Sequence, residues 1–543
     1  MTKRKIFILV LLITLLGGFL RFYKITDNPP SLTGDEISFG YSAYSILKTG
    51  RDESGKFLPL VIQSVGDYKN PVPAYLMILP IKLLGLTDFA IRLPNALLGM
   101  LSIPVYFLFL KDVLKDKKLA LLGSFFLAIS SWHIFYSRFA YEAITASFFI
   151  MLGIYFFIRM LDGKSWWGIP SAIFFALTMY TSFAPRLFTP MFVFFALLTS
   201  YKRLKQERSK IVIFLLTAIV LGLPLVYVSL FQGGSTRLKN VLISADVDFV
   251  RYVSFRYFES LVDLPLLFFF WLKRYLNYLQ PDFLFFNGLN MTLPGTFGLG
   301  LLYLFEFPWL LLGIKEFIQK KIVHKELLVA WFLVGIVPDS LTNNQQHAGR
   351  LLHAIPVVII ITTLGAVCFF KWVLALRNKY LRLMIASTFS FFVALALVHA
   401  LLTFAVHFPW QKGESFDEGT REAVSYIIKH QDEYNEVVFD IRHGIDGPYI
   451  ISNPHMYFLF YSKYDPHTYQ TEPKIHGTAE KPFYKFDNYT FRYINWQDDS
   501  AKKGTLFIGS SWSFPEKSLK SGELLEKIYL TNRRPAFYIV SPK

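Results

Sequence analysis

Long apolar runs separated by short basic clusters govern what this chain can become. Eleven such runs lie at roughly 6–23, 89–110, 119–137, 143–160, 166–181, 185–200, 211–230, 297–314, 326–341, 351–373 and 383–406. A helix that crosses a bilayer needs about 20 predominantly apolar residues. In lipid the backbone must satisfy its own hydrogen bonds, which favours helices over any open structure. The 543 residues are 53% hydrophobic and only 17% charged, with 56 phenylalanines, and the mean hydropathy is +0.38. A soluble protein of this size carries about 25% charge. The expectation is an all-α polytopic membrane protein with about eleven transmembrane helices.

Positive charge orients the spans. Basic segments occur at Lys3–Lys5, Lys111–Lys118, Arg159–Lys164, Lys202–Lys210, Lys315–Lys325 and Lys371–Arg382. With the N-terminus inside, all of them fall on the cytoplasmic side, as topology rules require. The net charge of +17 is therefore written as topology, not as a surface for nucleic acid. The first run, apolar from Ile6 to Phe22 except for Arg21, reads as an uncleaved first span, since no small-residue cleavage site follows it. Pro73–Leu86 is apolar but short and contains Pro80 and Lys82. Counted as a span, it would move every later basic cluster outside, so it is expected to be an interfacial or re-entrant helix. The plasma membrane of a prokaryote fits a chain with one cysteine, Cys368, which also rules out a disulfide framework.

This topology places a long loop, about 24–88, a second loop, about 231–296, and several short turns on the outer face. Charge and polarity return from Gln411 onward. Two domains follow: a transmembrane domain over 1–410 and a soluble extracytoplasmic α/β domain over 411–543. In the latter the pattern predicts helices at 418–430 and 454–462 and strands at 437–441, 489–494, 505–508 and 536–540.

Polar residues gather in the outer segments. The first loop holds Thr33-Gly-Asp-Glu-Ile-Ser-Phe39 and Gly66-Asp-Tyr-Lys-Asn-Pro71. The short turns hold Ser137-Arg-Phe-Ala-Tyr-Glu142, Tyr180–Arg186 and Leu341–Arg350, which includes His347. Each has a plain structural role open to it. Thr33, Gly34 and Asp35 suit a helix start, Arg138 and Arg350 can reach toward headgroups, Glu142 can pair with Arg138, and His347 can be a loop histidine. Together they set acids, a lysine, arginines and a histidine at one face.

Transfer of a sugar from a lipid phosphate to a hydroxyl would use such a set. It needs a carboxylate to take the acceptor's proton and cations to hold the departing phosphate. A glycosidase needs two carboxylates flanking the bond, one of them protonated. Asp35 and Glu36 are sequence neighbours, whose side chains need not converge.

At these residues the chain resembles the GT-C glycosyltransferases of the protein O-mannosyltransferase and aminoarabinose-transferase superfamily, over roughly residues 1–410. The resemblance is carried by Gly34-Asp-Glu36 with Tyr41-Ser-Ala-Tyr-Ser45 and Thr49-Gly-Arg-Asp52, by Asp67-Tyr-Lys-Asn-Pro71, by Arg92-Leu-Pro-Asn-Ala-Leu-Leu-Gly99, by Ser130-Ser-Trp-His133 with Arg138 and Glu142, and by Pro338–Arg350. It implies an inverting, single-displacement transfer from a polyprenyl-phosphate sugar to a lipid, glycan or protein acceptor. Asp35 would be the base, with Glu36 beside it and Glu142 as second acid. Lys69, Arg138 and Arg350 would hold the donor phosphate. Asp67, Tyr68, Arg186 and His347 would contact substrate. Some relatives hold a divalent metal near the acids, and Asp35, Asp67 and Glu142 are oxygen donors of the type such an ion takes. Glu142 stands where Asp is frequent, and Asn70 separates Lys69 from Pro71.

Two other readings stand beside this one. A transporter or flippase of a lipid-linked saccharide would favour charges inside spans and inverted repeats. A non-catalytic scaffold would use the tail to bind a partner.

Overall fold

The computed structural model describes residues 1–64, 67–231, 264–289, 298–342, 346–476, 483–515 and 518–543. Gly66, most of the expected second outer loop and residues 343–345 of the late turn lie outside them. So does the side chain of Asp67.

Every expected run carries a helix. They are Lys3–Phe22, Asp88–Leu114, the pair Lys117–Ile129 and Ser131–Ser137, Glu142–Asp162, Gly168–Met179, Ala184–Thr199, Arg208–Phe231, Phe307–Gln319, Lys325–Ser340, Ala348–Ala375 and Lys379–Leu402. Among the described residues, six helices are long and apolar enough to cross a membrane, or seven if the pair, bent by 55°, counts as one span. The rest run 12 to 16 residues, or about 18–24 Å at 1.5 Å per residue. That falls short of a hydrocarbon core of about 30 Å. The protein is a polytopic helical membrane protein, but not all eleven runs are full-length crossings. The short Pro-containing segment forms the helix Val72–Leu84. A further helix, Leu264–Asn277, lies in the stretch expected as loop.

The chain divides into two compact units, and the division differs from a single cut at 410. The first comprises Met1–Tyr23, Asn70–Pro73 and Asn95–Thr403; the second comprises Lys24–Lys69, Ala74–Pro94 and Phe404–Lys543. Most of the outer loop thus belongs with the tail.

In the first unit, Glu142–Asp162 is the most enclosed helix, with 89% of its apolar window buried, against 17% for Arg208–Phe231. Phe307–Gln319 packs against Ala348–Ala375 with their backbones in contact. A methyl group at Gly313 would lie 1.9 Å from the Ile361 carbonyl oxygen, and one at Gly365 would lie 1.7 Å from that of Trp309. Only glycine permits that approach, the usual device where helices pack in lipid.

The bend at Ser130 has an electrostatic cause. Breaking a helix strands its last carbonyls. The buried Arg21 guanidinium donates to the carbonyls of Ala128 (3.0 Å) and Leu127 (3.2 Å), and also meets His133 Nδ1 at 2.8 Å. Arg138 returns the arrangement. It donates to the carbonyls of Leu20, Arg21 and Tyr23, at 3.0, 3.3 and 2.7 Å, closing the end of the first helix.

The second unit is built on a seven-stranded mixed sheet. Its strands, numbered along the whole chain after a small hairpin of β1 (Ile62–Ser64) and β2 (Asp67–Lys69), are β3 (Glu436–Phe439), β6 (Ile475–His476), β7 (Tyr484–Phe486), β8 (Tyr489–Phe491), β9 (Thr505–Gly509), β10 (Leu524–Tyr529) and β11 (Pro535–Val540). Strands β4 (Arg442–His443) and β5 (Ile450–Ile451) form a separate hairpin. The order is β10-β11-β9-β3-β8-β7-β6, with β8, β3 and β9 parallel. All of β9 is buried, as central parallel strands usually are. One core cluster joins Val438, Ile494, Trp496, Phe507, Phe514, Tyr538 and Val540. The expected tail helices and strands are present with shifted ends, while β6, β7 and β10 had no clear sequence signal.

Candidate active site

In the second unit the Asp-Glu pair opens the helix Gly34–Thr49. Thr33 caps it: its hydroxyl accepts from Glu36 N at 3.3 Å, and Glu36 Oε2 accepts from Thr33 N at 2.9 Å. This reciprocal capping box satisfies two otherwise stranded donors. Gly50, at φ +71°, ends the helix by donating to the Ile46 carbonyl, a left-handed cap that suits glycine.

Adjacent helical residues point about 100° apart, so the two carboxylates meet different surroundings. Glu36, with its side chain 1% exposed, pairs with Arg92 at 3.0 Å. Arg92 also donates to the carbonyls of Ile25, Pro29 and Ser31. Glu36 is thereby held in a buried ion pair. Asp35 turns the other way and keeps its side chain 52% exposed. Its carboxylate accepts from Lys69 Nζ at 2.7 Å. Lys69 is held from behind. It lies on β2 opposite Ile62, its side chain is 6% exposed, and its ammonium sits 5.3 Å from the centre of the Phe39 ring. Tyr68 lies beneath the Lys56 ammonium.

A third carboxyl, Glu53, was missed by the sequence reading. It is buried, and Ser42 Oγ donates to it at 3.2 Å. Burial pushes its pKa up to about 7, against the pull of Ser64, Lys69 and Ser42. In Gly50-Arg-Asp-Glu53 it reads as a loop acid, with no sign of being enclosed.

The first unit holds the other expected residues. Glu142 begins the enclosed helix and accepts from Ser182 Oγ at 2.8 Å. Arg186 donates to Asn70 Oδ1 at 2.5 Å and to the Met179 carbonyl, and stacks on Phe183. Arg350 donates to Asp339 Oδ1 and Thr342 Oγ1, both at 2.9 Å. Asp339 is itself buried and also accepts from the Tyr278 hydroxyl and the His347 backbone. His347 rests against Tyr136 and Tyr141. Burial, then Arg350, hold its pKa below the usual histidine value. A cavity in this unit is lined by Tyr141, Glu142, Ser182, Pro185, Arg350 and His353 among others.

Arg138 takes no part in that cavity. It is 3% exposed and donates to the carbonyls of the first helix. Among the described residues, no group of three His, Cys, Asp or Glu side chains is placed to hold a metal ion. The Asp67 carboxylate lies outside them.

Residues 11–231 match the family model of the dolichyl-phosphate-mannose-protein mannosyltransferases. An uncharacterized protein of Aquifex aeolicus is 28% identical over 161 residues, a match that covers 30% of each chain. The crystal structure of ArnT from Cupriavidus metallidurans bound to undecaprenyl phosphate superposes with a TM-score of 0.54 at 12% identity, covering 99% of this chain and 98% of that one. Its apo form gives 0.52, with 97% of that chain covered. Over nearly its whole length the present chain has that fold.

Proposed function

We propose that this chain, a membrane protein of the GT-C glycosyltransferase fold, is an inverting transferase that moves a sugar from a polyprenyl phosphate to a hydroxyl at the outer face of the membrane. The observation that carries the reading is the exposed Asp35 carboxylate set against the buried, backed Lys69 ammonium. One is a base open to solvent and the other a fixed cation.

Asp35 takes the acceptor's proton as the acceptor oxygen attacks the anomeric carbon. The bond from that carbon to the phosphate oxygen breaks, and its electron pair leaves on the phosphate. Lys69 balances the growing charge. A polyprenyl phosphate is a good leaving group, so no protonated acid is required. In the first unit, Glu142 is the second acid, Arg350 supplies positive charge to the cavity it lines, and Arg186 interacts electrostatically with Glu142. Asp67 and Tyr68 are further substrate contacts in the second unit, and His347 is one in the first.

The matched mannosyltransferase family model and the ArnT neighbour bound to undecaprenyl phosphate support this substrate class. We place the chain in the plasma membrane with its N-terminus cytoplasmic and its tail outside, on the distribution of basic segments. The flippase alternative would use charges within the spans. Arg21 and Arg138 are instead spent on helix ends.

The test uses purified protein in detergent, a panel of radiolabelled polyprenyl-phosphate sugars and membrane extract as acceptor. Release of polyprenyl phosphate by wild type and its loss in Asp35→Asn is the expected result. Undiminished release by Asp35→Asn removes the base.

A further inference from the structure

The tail's sheet reverses direction at β3. The chain runs from β3 to β8 on one flank and then to β9 on the other, all three parallel. Where strand order reverses, the loops leaving the carboxyl ends diverge, and the crevice between them is where open α/β sheets take ligands.

Asp440, just past β3, ties the three loops together. Its carboxylate accepts from the backbone N of Arg442 (2.9 Å), the backbone N of Ile494 (3.3 Å) and Ser513 Oγ (2.7 Å). Gly509 permits this closure, since a methyl group there would lie 2.7 Å from Ser513.

Among the described residues, two polar atoms at this rim have no hydrogen-bond partner: the enclosed Ser510 hydroxyl and the enclosed Nε of Arg442, whose side chain as a whole is 36% exposed. The Arg442 guanidinium stacks over the Tyr493 ring at 4.0 Å, and its carboxylate neighbour, Asp440, is 3.9 Å away and already accepts three hydrogen bonds. The neighbouring Arg492 shows the contrast, since it donates twice to Asp499 at 2.8 Å. The Trp512 indole, on the loop that leaves β9, is 54% exposed, and its N–H donates at 3.3 Å to the carbonyl of Ile445, three residues past Arg442. That bond fixes the ring's orientation and leaves much of its surface in solvent.

Buried polar groups left unmatched are costly unless something completes them. A guanidinium suits a carboxylate or phosphate in a planar, paired contact, and an exposed indole offers an apolar surface to the C–H face of a sugar ring. We infer that the strand-end crevice around Arg442, Ser510 and Trp512 binds a saccharide that carries a carboxylate or a phosphate. This deepens the transferase reading, and rests on it only in naming that saccharide the acceptor.

The test is equilibrium binding to the full-length protein in detergent with no donor present, so a failed transfer reaction and a failed crevice are read separately. The probes are trigalacturonate, glucose 6-phosphate, maltotriose and inorganic phosphate, followed by isothermal titration. One of the two charged sugars binds, more tightly than maltotriose and inorganic phosphate, and which one identifies the anionic group. Arg442→Ala and Trp512→Ala each weaken it about tenfold or more. Trp512 is exposed, so its variant keeps the wild-type melting temperature and separates binding from folding. Binding of neither charged sugar, equal binding of inorganic phosphate, or unchanged binding in both variants overturns the proposal.

Discussion

Lys69 Nζ lies 2.7 Å from Asp35 Oδ1, so the base and the cation of the proposed reaction are in contact with each other in the resting protein. In the proposed displacement with inversion the two groups act on different atoms. The attacking and leaving oxygens stand on opposite faces of the anomeric carbon, with reacting atoms about 3–3.5 Å apart. In the proposed reaction the ion pair opens as the sugar enters, and the donor phosphate takes the ammonium that Asp35 gives up.

Asp35→Asn therefore lowers turnover by about 10²–10⁴-fold, the usual contribution of a general base. Donor binding is retained, because an amide still packs beside Lys69. Release of polyprenyl phosphate measures the first and donor titration the second.

Glu36→Gln behaves differently despite standing next in sequence. It breaks a buried ion pair that also fixes a helix cap, a loss of about 3–5 kcal/mol for pairs of this kind. The melting temperature falls, while turnover per folded molecule stays within a small factor of wild type. Equal losses of turnover in the two variants would contradict the division of labour between them.

Lys69→Ala raises the donor KM more than it lowers stability, since the ammonium is partnered by an exposed carboxylate. Lys69→Arg recovers part of the affinity, because it restores the charge but not the compact shape that fits above Phe39. Steady-state kinetics in donor concentration reads both.

Glu53 gives stability a pH dependence. Its folded pKa is raised to about 7 from an ordinary 4.5 by burial. Between those values the folded protein keeps a proton that the unfolded chain has lost. Its contribution is fully present below about 4.5 and is lost as pH rises to about 7. Melting temperatures from pH 4 to 8 show that decline, and Glu53→Gln flattens it.

Arg138→Ala strands the carbonyls that close the first helix and costs on the order of 3 kcal/mol. The donor KM is unchanged, which distinguishes a helix-closing residue from a phosphate ligand. A melting curve and donor kinetics on the same preparation decide between them.

The helices were legible because apolar length and basic punctuation are local properties. Their true extents were not, because a run such as Gly168–Met179 reads as apolar whether or not it is long enough to cross. The helix start at Thr33 was visible in residue type, and Asp35 and Lys69 in motif. What separates Asp35 from Glu36 is the direction each side chain faces, and that is set by Arg92, 56 residues further along. The contacts of Arg138 with the first helix were hidden for the same reason. An arginine in a turn looks the same whether it waits for a phosphate or closes a distant helix. Glu53 gave no cue, since enclosure is a property of what packs around a residue.

The exchange between Arg21 and Arg138 bears on how the protein is made. Arg21 emerges more than a hundred residues before the carbonyls it will serve, and the first helix reaches the bilayer with its last turn open. Until the segment through Arg138 is synthesised, neither element is finished, and a guanidinium has to be kept hydrated or sheltered at the membrane's edge. The first span is thus an early arrival but a late fold. A nascent chain halted before residue 138 should present the insertion and quality-control machinery with an unclosed helix, however hydrophobic that helix is.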